Sequence, residues 1–190
     1  MKENTRQKLI DATFEEVYSH GYQGAALADI LKNAGVHKGS MYHYFGSKKE
    51  MALVAIQEKV SAKNLAKYSK ILEQDSGYLD ALISSVKDIN QRDFKRGCPI
   101  ANIVQEMSNL DEDFSNVMKS IYEEFRKYIR DILEKAIKAK EMQVCDTTKM
   151  ALYITSTLEG AILSAKASGD AQDYVDTVEI LTQHLKKFEL

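Results

Sequence analysis

The chain has 190 residues, and 44% of them are apolar, which supplies a substantial hydrophobic core and excludes an intrinsically disordered protein. Its formal net charge of −2 excludes nucleic-acid binding driven by overall charge, so any such binding must use a local surface. With a single proline, and with apolar residues recurring every third or fourth position, the sequence predicts an all-α fold.

The cysteines and apolar runs indicate the compartment. Cys98 and Cys145 are far apart in the sequence and have no neighbouring cysteine or histidine, so we expect no disulfide framework, no metal site and no cofactor. No apolar run approaches the roughly 20 residues that span a membrane, and the N-terminus lacks the apolar stretch of a signal peptide. We therefore expect a cytoplasmic protein without a membrane partner.

Three helices are predicted at the N-terminus. Thr5 can cap the first helix, and Gly21 can end it. A short second helix covers Leu27 to Asn33 and ends at Gly35, and a third runs from about Lys38 to Phe45. The connection between the second and third helices is about four residues long and contains glycine, which is typical of a helix-turn-helix motif.

Six longer helices are predicted to follow, giving about nine in all. Ser47 and Glu50 have the spacing of a capping box, which starts a long fourth helix. Pro99 suits the first position of a later helix. The remaining predicted helices cover residues 77–94, 99–110, 111–140, 146–167 and 171–188.

The third helix has one apolar and one polar side. Met41 and Phe45 are four residues apart and are expected to pack inward, which leaves the other residues of the helix for solvent or a partner. The segment from Ile30 to Lys49 contains four lysines and no acidic residue. This local charge favours an anionic partner, and a helix of about two turns suits the major groove of DNA.

The order of these motifs resembles the N-terminal pattern of the tetracycline-repressor (TetR) family of bacterial transcriptional regulators. The resemblance covers about residues 5–52. It is carried by Gly21-Tyr22, Asp29-Ile30, Ala34-Gly35-Val36, the run from Lys38 to Phe45, and Ser47-Lys48-Lys49-Glu50-Met51.

The resemblance implies a helix-turn-helix DNA-binding domain over residues 1–50 and a helical effector-binding and dimerisation domain over residues 51–190. It further implies a homodimer that binds a palindromic operator in double-stranded DNA, usually represses, and releases DNA when a small molecule binds. Two positions depart from the family pattern, because Ala26 and His37 stand where the family often has serine or threonine. We therefore expect one or two of the phosphate contacts made by those hydroxyls to be absent or replaced in this chain.

Carried over position by position, the resemblance assigns roles at the DNA interface. Ser40 and His43 read bases, Gly39 permits close approach, and Lys38 meets the DNA at the helix start. Tyr44 has the alternative of being half-packed against the core. The full predicted DNA-binding set is His37, Lys38, Gly39, Ser40, Tyr42, His43, Tyr44 and Lys48, with Lys48 clamping a flanking phosphate.

The last two predicted helices, Asp146 to Ala167 and Ala171 to Phe188, are interpreted as the dimer interface. The first carries many small residues, including Gly160 and Ala161, so another helix can approach it closely. Two such helices from each subunit would form a four-helix bundle. The alternative is that they complete a monomeric core.

The effector pocket is predicted from soft and aromatic side chains, each of which is also an ordinary core residue. Glu106 and Glu159 could orient a polar ligand, or lie at a rim or dimer interface. Cys98 stands before Pro99 and beside cationic residues, so it is either an electrophile or oxidant sensor or a packed helix-start residue. The predicted pocket residues are Cys98, Met107, Phe114, Met118, Tyr122, Phe125 and Tyr153.

Two other classes of function compete with a DNA-binding regulator. A helical adaptor that binds a protein through its N-terminal helices is disfavoured by the acid-free segment. An all-α enzyme is disfavoured because the sequence has no metal-ligand spacing, catalytic triad pattern or phosphate-binding glycine loop.

Overall fold

The computed structural model describes residues 2–190, and the side chains of residues 5–190. That part of the chain forms nine α-helices and no strand, which confirms the all-α prediction. A single isolated bridge pairs Met142 with Glu189. The helices are α1 (Lys2–Gly24), α2 (Leu27–Ala34), α3 (Lys38–Met41), α4 (Lys48–Leu72), α5 (Tyr78–Lys87), α6 (Pro99–Met107), α7 (Glu112–Lys138), α8 (Thr147–Ser168) and α9 (Gln172–Lys186).

Several predicted helix ends are confirmed by their caps. Ser47 Oγ accepts a hydrogen bond from the Glu50 amide at 3.0 Å, and Glu50 Oε2 accepts one from the Gly46 amide at 2.7 Å. The predicted capping box therefore forms, except that the Glu50 side chain binds the amide of Gly46 and not that of Ser47. Pro99 opens α6 as expected. Asp146 caps α8 by accepting the Lys149 amide at 3.0 Å.

Other predicted helix boundaries were wrong. Helix α1 already includes Lys2, so Thr5 lies inside the helix and is not its cap. Helix α5 ends at Lys87 because Asp88 is extended, and the chain up to Cys98 forms turns in which Asp93 binds the backbone and guanidinium of Arg96. Regular helix in α3 stops at Met41, although the Phe45 amide still donates to the Met41 carbonyl at 3.0 Å.

The chain divides into two compact units. Unit 1 comprises residues up to Ala62 together with Pro99–Ile121, and unit 2 comprises Lys63–Cys98 and Tyr122–Leu190. Unit 1 therefore contains α6 and the start of α7 as well as the N-terminal helices. This division by contacts does not test the predicted boundary at residue 50 between a DNA-binding domain and an effector-binding domain. That boundary stays a proposal.

Each unit has its own core. In unit 1, α1, α2, α3 and α4 bury Leu9, Ile10, Ile30, Met41 and Met51. In unit 2, the core lies among α5, the later part of α7, α8 and α9, and the Tyr174 side chain is fully buried there with its hydroxyl donating to the Val86 carbonyl at 2.7 Å. Across the described residues, no helix is long and apolar enough to cross a membrane.

Candidate nucleic-acid interface

The turn between α2 and α3 has the geometry that its sequence predicts. Gly35 follows α2 with φ 63° and ψ 36°, a left-handed conformation that favours glycine. The Gly35 amide donates to the Lys32 carbonyl at 3.1 Å, and the Val36 amide donates to the Leu31 carbonyl at 3.0 Å. These bonds satisfy the end of α2 and return the chain directly to α3.

Helix α3 is anchored by its apolar side. Met41 is fully buried, and Phe45 is only 3% exposed, as their spacing predicted. The exposed side carries Lys38, Gly39 and His43, together with Tyr42, which is 53% exposed. The short helix is thus held in place by two core residues while its polar residues face outward.

Four of the predicted DNA-binding residues share one surface groove. The groove has a volume of about 570 Å³ and is lined by Thr5, Gly35, Val36, His37, Ser40, His43 and Tyr44. Lys38, Gly39 and Tyr42 are not part of its lining. The sequence analysis did not place Thr5 at this groove, because its type and position suggested only a helix cap. His37 makes no side-chain cap bond to α3, and the residue is exposed in the groove.

Lys48 occupies a different environment from Lys38. Its ammonium donates to the Tyr22 carbonyl at 2.6 Å and lies 4.4 Å from the centre of the Tyr22 ring. Burial lowers the pKa of Lys48, with the Glu106 carboxylate opposing that shift. Lys48 thus already binds within unit 1, and a phosphate contact by its ammonium stays a prediction.

The neighbouring Lys49 is also paired within unit 1. Its ammonium lies 2.7 Å from Asp111 and 2.6 Å from Asp113. These carboxylates raise the pKa of Lys49. Of the four lysines in the acid-free segment, Lys32 and Lys38 therefore remain the exposed cations near α3.

Glu106 fixes the chain where α1 ends. Its two carboxylate oxygens accept the Tyr22 amide at 2.9 Å and the Gln23 amide at 2.8 Å. Gly21 has φ 76°, and a β-carbon there would lie 2.7 Å from Glu106 Oε2. Glu106 is therefore a backbone-binding residue of unit 1, a role that the sequence did not reveal because the partners are more than 80 positions apart.

The predicted effector residues fall into two groups. Met107, Phe114 and Met118 are buried in unit 1, where the Phe114 ring centre lies 4.5 Å from that of Tyr22. The others belong to unit 2. Tyr153 is 44% exposed, and its ring packs against His184, so it does not lie in the core of that unit.

Cys98 and Tyr122 meet the same carboxyl group in unit 2. The Cys98 thiol donates to Glu159 Oε1 at 3.3 Å, and the Tyr122 hydroxyl lies close enough to influence the pKa of Glu159. Burial raises the pKa of Glu159, whereas Cys98, Arg92 and Tyr122 act in the opposite direction. Phe125 packs nearby on the unit 2 core, with its ring 5.8 Å from that of Tyr68. Sensing by Cys98 stays a hypothesis.

The described residues contain no group of three or more histidine, cysteine or acidic side chains arranged to hold a metal ion.

Two family models match the sequence. The model of bacterial regulatory proteins of the tetR family matches residues 9–55, and the model of the tetracyclin repressor-like C-terminal domain matches residues 77–181, which is more than half of the chain. The chain belongs to the TetR family.

Relatives agree with this TetR-family membership. An HTH-type transcriptional regulator from the lacX 3′ region of Lactococcus lactis is 29% identical over 188 residues, covering 97% of this chain and 94% of the relative. The transcriptional regulator AcuR of Cereibacter sphaeroides is 28% identical over 172 residues, covering 84% and 75%. The protein is thus a DNA-binding transcriptional regulator.

A third similar protein is the HTH-type transcriptional repressor NemR of Escherichia coli. It is 29% identical over 120 residues, covering 60% of each chain. The crystal structure of its reduced form matches this fold with a TM-score of 0.85 and 22% identity, covering 98% of this chain and 97% of that one. At 22% identity the structural match shows a shared fold and nothing further.

Proposed function

We propose that this protein is a homodimeric transcriptional repressor that binds a palindromic operator through the α3 surface and leaves it when a small molecule binds. The observation that carries the proposal is the exposed, acid-free surface of α3, held by Met41 and Phe45 against the unit 1 core. TetR-family membership and the repressor among the relatives support repression. A regulator of this kind acts in the cytoplasm, where the bacterial chromosome lies.

On this proposal the residues of the α3 surface divide by their chemistry. Ser40 and His43 line the groove and can donate to and accept from base edges. Lys38 and the hydroxyl of Tyr42 are exposed and suit phosphates, which position the protein without reading sequence. His37 and Tyr44, which line the same groove, can add phosphate contacts, and Gly39 leaves room for the DNA backbone.

The proposed dimer surface consists of the exposed faces of α8 and α9. On α8, Leu152, Ser156, Gly160 and Leu163 follow one exposed stripe, and Leu163 is 53% exposed. On α9, Ile180 is 66% exposed. Large apolar side chains exposed together on packed helices mark an interaction surface, and the small residues permit close helix contact.

The competing proposal, a protein-binding adaptor, is separated from the repressor by a selection experiment. The purified protein is incubated with random double-stranded DNA, and the bound sequences are recovered and read. The repressor proposal predicts enrichment of one palindromic motif with half-sites about one helical turn apart. Recovery of no motif, with retained folding and dimerisation, would contradict DNA recognition and favour the adaptor.

A further inference from the structure

Unit 2 contains four buried polar atoms that lack hydrogen-bond partners. Among the described residues, Asn64 Nδ2, Ser85 Oγ, Arg92 Nε and Glu159 Oε2 are buried and have no hydrogen-bond partner. Burying a polar group without a hydrogen bond is unfavourable, and native proteins contain few such groups. Four of them in one unit therefore indicate that something other than the folded chain satisfies them.

Positive charge accumulates around Arg92. The Lys67 ammonium donates to the Ser85 carbonyl at 3.0 Å. Burial, followed by the charges of Arg92 and Lys63, lowers the pKa of Lys67 to about 8, and Asp88 acts in the opposite direction. Like charges are thus crowded at one place, and a bound anion would relieve their repulsion.

An acidic group, Glu159, also interacts with Arg92. The Arg92 charge lowers the pKa of Glu159, which shows that the two groups interact, but Glu159 Oε2 accepts no hydrogen bond. Its other oxygen is used by the Cys98 thiol at 3.3 Å. The free oxygen is an acceptor, and a hydroxyl group of a ligand is a suitable donor to it.

Aromatic rings lie beside Arg92 and Lys67. The Arg92 guanidinium lies 4.6 Å from the centre of the Tyr174 ring, which packs on Phe94 at 5.2 Å. Tyr68 packs on Phe125 at 5.8 Å. Small-molecule sites commonly combine apolar and aromatic walls with a few polar groups that orient the ligand. These rings suit a flat, unsaturated ligand body.

We propose that the effector of this protein is a small aromatic carboxylate carrying a hydroxyl group, bound in unit 2 with its carboxylate at Arg92 and Lys67 and its hydroxyl donating to Glu159. Arginine pairs readily with a carboxylate through two parallel hydrogen bonds. A doubly charged phosphate ester suits the site less well because it would face the Glu159 carboxyl group. This inference rests on the effector response under the proposed function and names the chemical class of that effector.

The test measures binding of 4-hydroxybenzoate, its 2- and 3-hydroxy isomers and benzoate by calorimetry, with 4-hydroxybenzamide as the uncharged control. We expect at least one hydroxybenzoate to bind, and its amide to bind at least about tenfold more weakly. Arg92→Gln should weaken the carboxylate at least about tenfold and leave the amide unaffected, whereas Arg92→Lys should recover part of the affinity. Arg130→Gln is the matched control, because Arg130 already pairs with Asp131 and Glu134 on the surface.

The pH dependence gives a second readout, with benzoate as the probe because its carboxylate stays ionised throughout. Lys67 faces Arg92, Lys63 and Asp88 and loses its charge as the pH rises through about 8. Benzoate should therefore bind more tightly at pH 7 than at pH 9, and Lys67→Met should remove most of that difference. Measuring the unfolding temperature of each variant shows that it is folded.

The outcomes separate this inference from the proposed function. Absence of binding by every carboxylate, equal binding of acid and amide, or full carboxylate affinity in folded Arg92→Gln would each overturn the carboxylate site. Release of the selected operator is measured in parallel. Arg92-dependent binding without release would support the site and contradict its role as the effector site, whereas failure to bind any operator would refute the proposed function alone.

Discussion

Replacing both Leu163 and Ile180 by glutamate is expected to convert the dimer into a monomer and to weaken operator binding at least about 100-fold. The two side chains are 53% and 66% exposed on α8 and α9. In a two-fold interface each substitution appears twice, so four carboxylates would be brought together in an apolar contact. A monomer engages one half-site and loses the effective concentration that joins the two half-sites.

The measurement combines sedimentation with operator titration. Val144→Glu is the matched control, because Val144 is 85% exposed between α7 and α8 and lies outside the proposed surface. The control should stay dimeric and bind the operator normally. A double variant that remains dimeric, with an unchanged unfolding temperature, would show that subunits associate through another surface.

Replacing His43 by glutamate is expected to weaken binding to the selected operator at least about 100-fold. His43 is exposed in the groove beside Ser40, within a segment that has no acidic residue. A carboxylate there would face phosphates and base acceptors, and placing like charges together in an interface costs several kcal/mol. The loss should therefore exceed the effect of removing a single base contact.

Two controls isolate the effect of charge at this position. His43→Gln keeps a donor and an acceptor, so it should retain affinity within about tenfold while changing the preferred base. Lys70→Glu changes the net charge by more than His43→Glu does, but Lys70 lies in the unit 2 part of α4 and should have little effect. Normal operator binding by folded His43→Glu would remove His43 from the interface.

The sequence predicted well those features that depend on local geometry. Gly35 ended α2 because a left-handed residue was needed there, and Pro99 opened α6. Met41 and Phe45 followed from helical spacing. The exposed residues of α3 could be grouped on one side for the same reason, although the contribution of Thr5 to their groove required the folded chain.

Features that depend on distant contacts could not be predicted. Glu106 binds backbone amides at Tyr22 and Gln23, and nothing local distinguishes this glutamate from others on a helix. The resemblance assigned Lys48 to a flanking phosphate, a role that stays a prediction, but it gave no sign that the ammonium also binds the Tyr22 carbonyl. Similarly, Arg92 attracted no attention in the sequence, and only the burial of its Nε atom without a hydrogen-bond partner made it significant.

The salt dependence of operator binding tests the central claim, that exposed residues of α3 contact the DNA. With three to five phosphates neutralised by each subunit, log K should fall against log salt with a slope of about −5 to −9 for the dimer. Lys38→Ala removes one such contact per subunit, so the slope should become shallower by about 2. Lys70→Ala, in the unit 2 part of α4, should leave the slope unchanged. A flat wild-type slope, or one unaffected by Lys38→Ala, would contradict the account.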